Sequence, residues 1–251
     1  MHPKLSQTHF VCSLALMICF CSCMSTKSKK APEPSFEDAA KHASKKHYEI
    51  AIQKLGEYKT KFPESNRIPE AELLIADSRF GLGNYEEAIF DYERFVKLRP
   101  DHPKAAYAQY QVGESYWEEA PEAVDREQLF TRQAMREWNK LVREHPKSEW
   151  TAKARENITE GFQRLVAHED FIAKFYCRKK QYNACVYRSE QILERYPKNE
   201  EFSAQARQRL ALAYAELAKE KQQNPSTEQS IYLKSFTAEQ LSQKAQSYLT
   251  Q

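Results

Sequence analysis

The chain has 251 residues, 29% of them charged and 41% hydrophobic, with only five glycines. That composition argues for a helix-rich body without sheet turns, and the length holds one or two domains. The 38 basic and 35 acidic residues are interspersed and leave a formal net charge of +3, so no basic stripe tracks a phosphate backbone and nucleic acid is not the expected partner.

The N-terminus is a different material. Lys4 and the free amine precede an apolar run over residues 10–20. Its length suits the core of a secretory signal and falls short of the roughly 20 apolar residues that span a bilayer. The residues Phe20-Cys21-Ser22-Cys23-Met24 then resemble a bacterial lipobox. Ser22 supplies the last small side chain, and Cys23 is read as the lipid-bearing first residue of the mature chain. Cys21 fits worse because Phe20 would precede it. The alternative is a plain secretory signal with incidental cysteines. Acyl chains on Cys23 anchor by about 0.8 kcal/mol per buried methylene. Met24 is not the aspartate that retains many lipoproteins at the inner membrane, so the outer membrane is the expected destination. Residues 1–22 are thus a lipoprotein signal peptide. Residues 23–34, polar and proline-bearing with no apolar periodicity, are a flexible tether.

From residue 35 onward the pattern is helical. A first helix is expected over 35–43, N-capped by Ser35 with Asp38 as a weak capping-box partner. Helices follow over 48–61, 69–80 and 85–98, the last two joined by Gly81-Leu82-Gly83-Asn84, a turn that needs positive φ. Further helices are expected over 103–117, 129–143, 149–176 and 182–195. Another opens at Glu200, with Ala204, Ala206, Leu210, Ala213, Tyr214 and Leu217 on one face. The polar break 222–226 ends it. Thr237 and Gln240 form a capping box before a last helix carrying Leu241, Ala245, Tyr248 and Leu249. The solenoid body is set at 35–221 and C-terminal capping helices at 226–251, the last helix being either a cap or a partner-binding arm.

One skeleton recurs four times: Ala51, Leu55, Tyr58, Pro63; Ala88, Tyr92, Phe95, Pro100; Ala134, Trp138, Leu141, Pro146; and Cys185, Ser189, Ile192, Pro197. It looks like the second half of a tetratricopeptide repeat, where a small residue sits at the contact of two antiparallel helices and larger ones follow four and seven positions later on the same face. Ala71, Ala108 and Ala154 each fall eight residues after a proline, and Tyr48, Tyr85 and Tyr182 open second helices. Gly113 and Tyr116 occupy the repeat's small and tyrosine positions. The fold class is therefore all-α, an α-solenoid of about five tetratricopeptide-like helix pairs. Pro63 to Pro100 is 37 residues, Pro100 to Pro146 is 46 and Pro146 to Pro197 is 51. The nine extra residues of the second interval fall around 118–128, an insertion expected on the surface and often on a binding face. The third interval lengthens the helix from Glu149 beyond its neighbours.

No convergent catalytic, cofactor or metal constellation is present. His168-Glu169 lacks the second histidine of a zinc motif and reads as a surface or core pair. Cys177 and Cys185 flank the turn at 179–181, so a disulfide is sterically conceivable in an oxidising periplasm. Alternatively Cys185 only fills the slot of Ala51, Ala88 and Ala134, which asks for a small buried side chain; this second reading is the stronger. A concave groove lined by first helices suits an extended or helical peptide. Tyr107, Tyr110 and Tyr116 are candidates to line it, with Arg79 supplying charge; the alternative for each tyrosine is packing between repeats.

The run from Phe95-Val96-Lys97-Leu98-Arg99-Pro100 through Tyr107, Tyr110 and Gly113 resembles the BamD family of β-barrel assembly lipoproteins. So do Asp125-Arg126-Glu127-Gln128, the stretch from Lys140 to Ser148, Arg164 to Glu169, and Phe175 to Arg188, in the family's order. The resemblance implies a periplasmic adaptor of five repeats held to the outer membrane through Cys23, without catalytic activity or cofactor. Its C-terminal repeats would dock on the periplasmic domain of the barrel-forming subunit BamA, beside other assembly-complex lipoproteins. Its N-terminal repeats would receive unfolded outer-membrane proteins. Arg188 matches the arginine of the family's valine-x-arginine segment, with Tyr187 in place of the usual asparagine. Tyr187 and Arg178 are grouped with it as partner-binding candidates. The loop at 118–128 is shorter than in many members, and the turn at 62–66 lacks the aromatic-rich form often found there. The rival reading is a repeat lipoprotein coordinating envelope constriction or peptidoglycan synthesis.

Overall fold

The computed structural model describes residues 35–250, and among them eleven helices follow one another with no strand. The signal segment 1–22, the lipidation candidate Cys23 and the tether 23–34 lie outside the described residues. The helices are α1 (Phe36–Ser44), α2 (Tyr48–Lys61), α3 (Ile68–Gly81), α4 (Tyr85–Leu98), α5 (Ala105–Glu118), α6 (Leu129–Glu144), α7 (Glu149–Arg178), α8 (Tyr182–Arg195), α9 (Glu200–Gln223), α10 (Ile231–Ser235) and α11 (Ala238–Ser247). From α1 to α9 each helix packs on the next, and α1 also touches α3, α5 touches α7 and α7 touches α9. Contact between alternate helices is what stacks hairpins into a solenoid. No helix among the described residues is long and apolar enough to cross a membrane.

α2, α4 and α8 have the expected bounds. Each opens at a tyrosine after a polar turn and stops before a proline, and the residue preceding a proline disfavours the helical conformation. Gly83 takes φ 78° in the turn between α3 and α4, as that turn requires. α5 starts at Ala105, two residues later than expected, because Ala105 N–H closes a turn on the His102 carbonyl at 2.8 Å. Ser35 caps α1, its hydroxyl accepting from Asp38 N–H. The Asp38 carboxylate does not complete a capping box there; it pairs with Lys54 of α2 at 2.7 Å. α7 runs to Arg178, giving 30 residues and about 45 Å of continuous helix.

The recurrent small residues sit at the helix contacts. Ala51, Ala88, Ala134 and Cys185 are all fully buried, as are Ala71, Ala108 and Ala154 on the facing first helices. The larger residues one and two turns on, including Leu55, Tyr92, Phe95, Trp138, Leu141 and Ile192, fill the space those contacts leave. Each such side chain contributes roughly 1.5–3 kcal/mol by leaving water. On α9 the buried face includes Ala206, Leu210, Ala213, Tyr214 and Leu217 as expected, but Ala204 is exposed and Ser203 takes the inward place.

The C-terminal end holds one element that periodicity did not reveal. α10, five residues long, is capped by Ser230 and buries Leu233 against α9. α11 opens on the full Thr237–Gln240 capping box and packs on α9 through Leu241 and Ala245, while Tyr248 stacks on Tyr214 at 6.0 Å between ring centroids. Leu249 is 71% exposed rather than part of that face.

Of the glycine contacts, the tightest lies between α5 and α6. A β-carbon built at Gly113 would lie 2.2 Å from Nε1 of Trp138. That indole is fully buried and donates to the Tyr110 carbonyl, so it has nowhere to retreat. Gly113→Ala is therefore expected to destabilise the fold by about 1–3 kcal/mol, with a red-shifted and weaker tryptophan emission in the folded state. Denaturant unfolding followed by fluorescence checks both.

Candidate functional site

In the N-terminal half, the candidate groove side chains have internal partners. Asp77 of α3 accepts hydrogen bonds from Tyr92 of α4 at 2.6 Å and from Tyr107 of α5 at 2.7 Å, and Gln111 donates to both phenols. Tyr110 is buried against Trp150 and shares Asn157 with Glu114. Burial pushes the Tyr110 phenol up to about 12. Tyr116 stacks on Phe130 of α6. The Arg79 guanidinium pairs at 2.6 Å with the nearly inaccessible carboxylate of Asp91. These four residues therefore join neighbouring helices, which for the three tyrosines is the packing between repeats weighed above as the alternative to a groove role. The links of Asp91 to Arg79 and of Asp77 to Tyr92 and Tyr107 gave no sequence signal, because those partners lie 12 to 30 residues away with no fixed spacing.

The inserted loop is closed on itself. Gln128, fully buried, donates to the carbonyls of Pro121, Ala123 and Arg126 and accepts from Thr131. Nδ1 of His168 lies 2.6 Å from the Val124 carbonyl, which makes that nitrogen the donor. His168 and Glu169 are 6% and 9% exposed, so the pair belongs to the core, and His168 holds the loop down on α7.

The C-terminal half is built differently. Glu169 of α7 lies between Arg188 and Arg195 of α8, at 3.4 and 3.6 Å. Arg188 remains about one-third exposed beside Tyr187, a residue 53% exposed. Arg178 is elsewhere: on the last turn of α7 it lines a groove with α9, so the structure separates it from the Tyr187–Arg188 pair. Cys177 and Cys185 form a disulfide across the α7–α8 hairpin, their Cα atoms 5.0 Å apart. The preference for Cys185 as a mere small-slot residue is corrected: it fills that slot and carries a cross-link, because both cysteines lie within two turns of the same hairpin on facing surfaces. Also on α8, Glu190 accepts from Tyr214 of α9 at 2.6 Å and from Tyr232 of α10 at 3.0 Å. Among the described residues no group of three metal-ligating side chains converges.

Residues 28–230 match the YfiO family, described as outer membrane lipoprotein. This chain belongs to the YfiO family. Among its curated relatives is the outer membrane protein assembly factor BamD of Neisseria meningitidis serogroup A, 25% identical over 82% of this chain and 83% of that protein. The Caulobacter vibrioides BamD is 27% identical over 64% of this chain and 52% of its own length. The Rickettsia prowazekii BamD is 28% identical over 61% and 60%. The YfiO match spans α1 to α9 and stops at Ser230, so α10 and α11 lie beyond it.

Two expectations follow for this YfiO chain. Burial raises Asp77 above its ordinary 3.8, against the two phenol hydrogen bonds that lower it. A carboxyl whose folded value is raised contributes stability below its unfolded value and loses it as pH rises through the folded one. The wild type should therefore lose stability relative to Asp77→Asn as pH rises from 3.8, and the difference should flatten above the raised value; denaturant unfolding across a pH series measures it. The disulfide, closing a separation of eight residues, is expected to supply about 2–3 kcal/mol. Cys177→Ser with Cys185→Ala should lower the guanidinium midpoint to that of the wild type in dithiothreitol, and dithiothreitol should leave the double variant unmoved.

Proposed function

We propose that the chain is a non-catalytic assembly factor for outer-membrane β-barrel proteins, anchored to the periplasmic face of the outer membrane by lipid on Cys23. The observation that carries the reading is the length of the likeness: an alignment over 82% of the chain with a protein named for outer-membrane protein assembly, on a helical-repeat body. A stacked-helix scaffold acts by holding partners on its surface, and charge and exposed aromatics decide where. The body would occupy residues 35–221, with the helices of 226–251 closing its end.

On this reading the exposed Tyr187–Arg188 pair docks on a BamA-like barrel protein. Glu169 supports the role: it is shared by Arg195, so Arg188 can turn one edge of its guanidinium to an outside carboxylate without leaving Glu169 unpaired. Unfolded barrel proteins would be received nearer the N-terminal repeats, on surfaces other than the internally bonded Tyr107, Tyr110 and Arg79.

A mild-detergent pull-down of the tagged full-length protein from its native envelope tests the assignment. A large barrel protein with repeated periplasmic domains should be recovered, and Arg188→Ala should weaken its binding about ten- to a hundredfold, the loss of one charge-assisted contact. Undiminished recovery with Arg188→Ala would remove the docking role from this residue. Recovery of peptidoglycan-associated or division proteins without that barrel would favour a role in envelope constriction.

A further inference from the structure

α7 and α9 enclose an open groove of about 680 Å³. Phe171 and Leu212 are its apolar walls, 37% and 55% exposed, and Lys174, Arg178 and Arg209 its polar ones. Through Gln208 and Leu212 it continues into a second groove of about 600 Å³ between α9 and α11, floored largely by alanines, with Leu249 at the rim.

The charge of the first groove is one-sided. Its lining holds three cations and no carboxylate. Asp170, buried beneath it, takes both Lys174, at 2.7 Å, and Arg209, so one negative charge serves two positive ones. Arg178 has no ion-pair partner among the described residues. Two positive charges beside exposed aromatic and aliphatic walls call for an occupant that is acidic and apolar at once. The rows at 171, 174 and 178 on α7 and at 208, 212 and 215 on α9 step by three and four. Such rows are filled by the ridges of another helix.

We infer that this groove binds an acidic segment of a partner protein, with aliphatic side chains at helical spacing seated between Phe171 and Leu212 and a carboxylate on Arg178. The inference extends the adaptor reading by a second surface, distinct from Tyr187–Arg188 because Arg178 faces α9 whereas Arg188 reaches back to Glu169 from α8.

The test titrates the full-length protein in detergent with a fluorescent 16-residue peptide of alanine, glutamate and leucine, the leucines at i and i+4, and with its lysine-for-glutamate counterpart, by anisotropy. Saturable binding of the acidic peptide is expected, with the lysine peptide weaker by about tenfold or more. Arg178→Glu and Leu212→Ser, both surface changes whose helical circular dichroism should match wild type, should each weaken it about tenfold. Arg188→Ala, and Phe90→Ser on the exposed face of α4, should leave it unchanged. Equal binding of the two peptides, no saturation, wild-type affinity in Arg178→Glu, or loss in Arg188→Ala would overturn the inference. A photoreactive side chain at position 212 in native envelopes should cross-link a protein through an acidic segment; a cross-link to phospholipid or to a second copy of this chain would equally overturn it. Failure of barrel-protein recovery with Arg188→Ala is a separate result that this experiment does not touch.

Discussion

Everything in this fold depends on how closely two helices can approach at one small side chain. Axes 8–10 Å apart leave room at the crossing for a methyl group or a thiol and little more. Ala51, Ala88, Ala134 and Cys185 stand at those crossings without any exposure, and Gly113 takes the extreme case under the Trp138 indole. Once the crossing is fixed, the residues four and seven positions on fill the widening space: they are Leu, Tyr, Phe, Trp or Ile at seven of the eight positions, and a buried Ser189 stands at the other. Because the four crossings fall in one phase relative to their prolines, the hairpins stack rather than collapse on one another. At the fourth crossing the small residue is a cysteine, and the same geometry that demands a small side chain brings it within reach of Cys177.

A second regularity ties the stacked pairs together. Asp77, Glu169, Asp170 and Glu190 each accept from two donors, and each links its own helix to at least one other: α3 to α4 and α5, α7 to α8, α7 to α9, and α8 to α9 and α10. A carboxylate taken from water is costly unless its lone pairs are filled, so these joints tolerate one register of neighbouring helices and penalise others. Apolar packing alone slides more readily. The polar joints therefore set how the repeats turn relative to one another, and hence where surface residues such as Tyr187 and Arg178 are presented.

Spacing explains which parts could be read in advance. The small residue, the two large ones and the proline are all set by contacts within a hairpin, so α2, α4 and α8 carry their bounds in local sequence. The capping boxes were legible for the same reason where nothing competed, as at Thr237, and not at Ser35, where Lys54 draws Asp38 away. What joins separate repeats leaves no spacing to read. Tyr107 could not be told from a groove residue until Asp77, 30 positions earlier, was beside it. Likewise Arg178 and Arg188, ten residues apart and alike in sequence context, diverge because a hairpin turns between them. The short α10 has too few residues to show a period at all.

On the proposed reading the chain offers two outward surfaces on its C-terminal helices, Tyr187–Arg188 on α8 and the groove between α7 and α9, and acts by bringing other proteins together. Its central claim is that those proteins are barrels bound for the outer membrane. The most direct measurement is quantitative proteomics of the outer-membrane and periplasmic fractions as this protein is depleted from its own cells. The account predicts that barrel proteins fall together in the outer membrane while their unfolded forms accumulate in the periplasm, before division is affected. Unchanged barrel levels in cells that fail to constrict would contradict it.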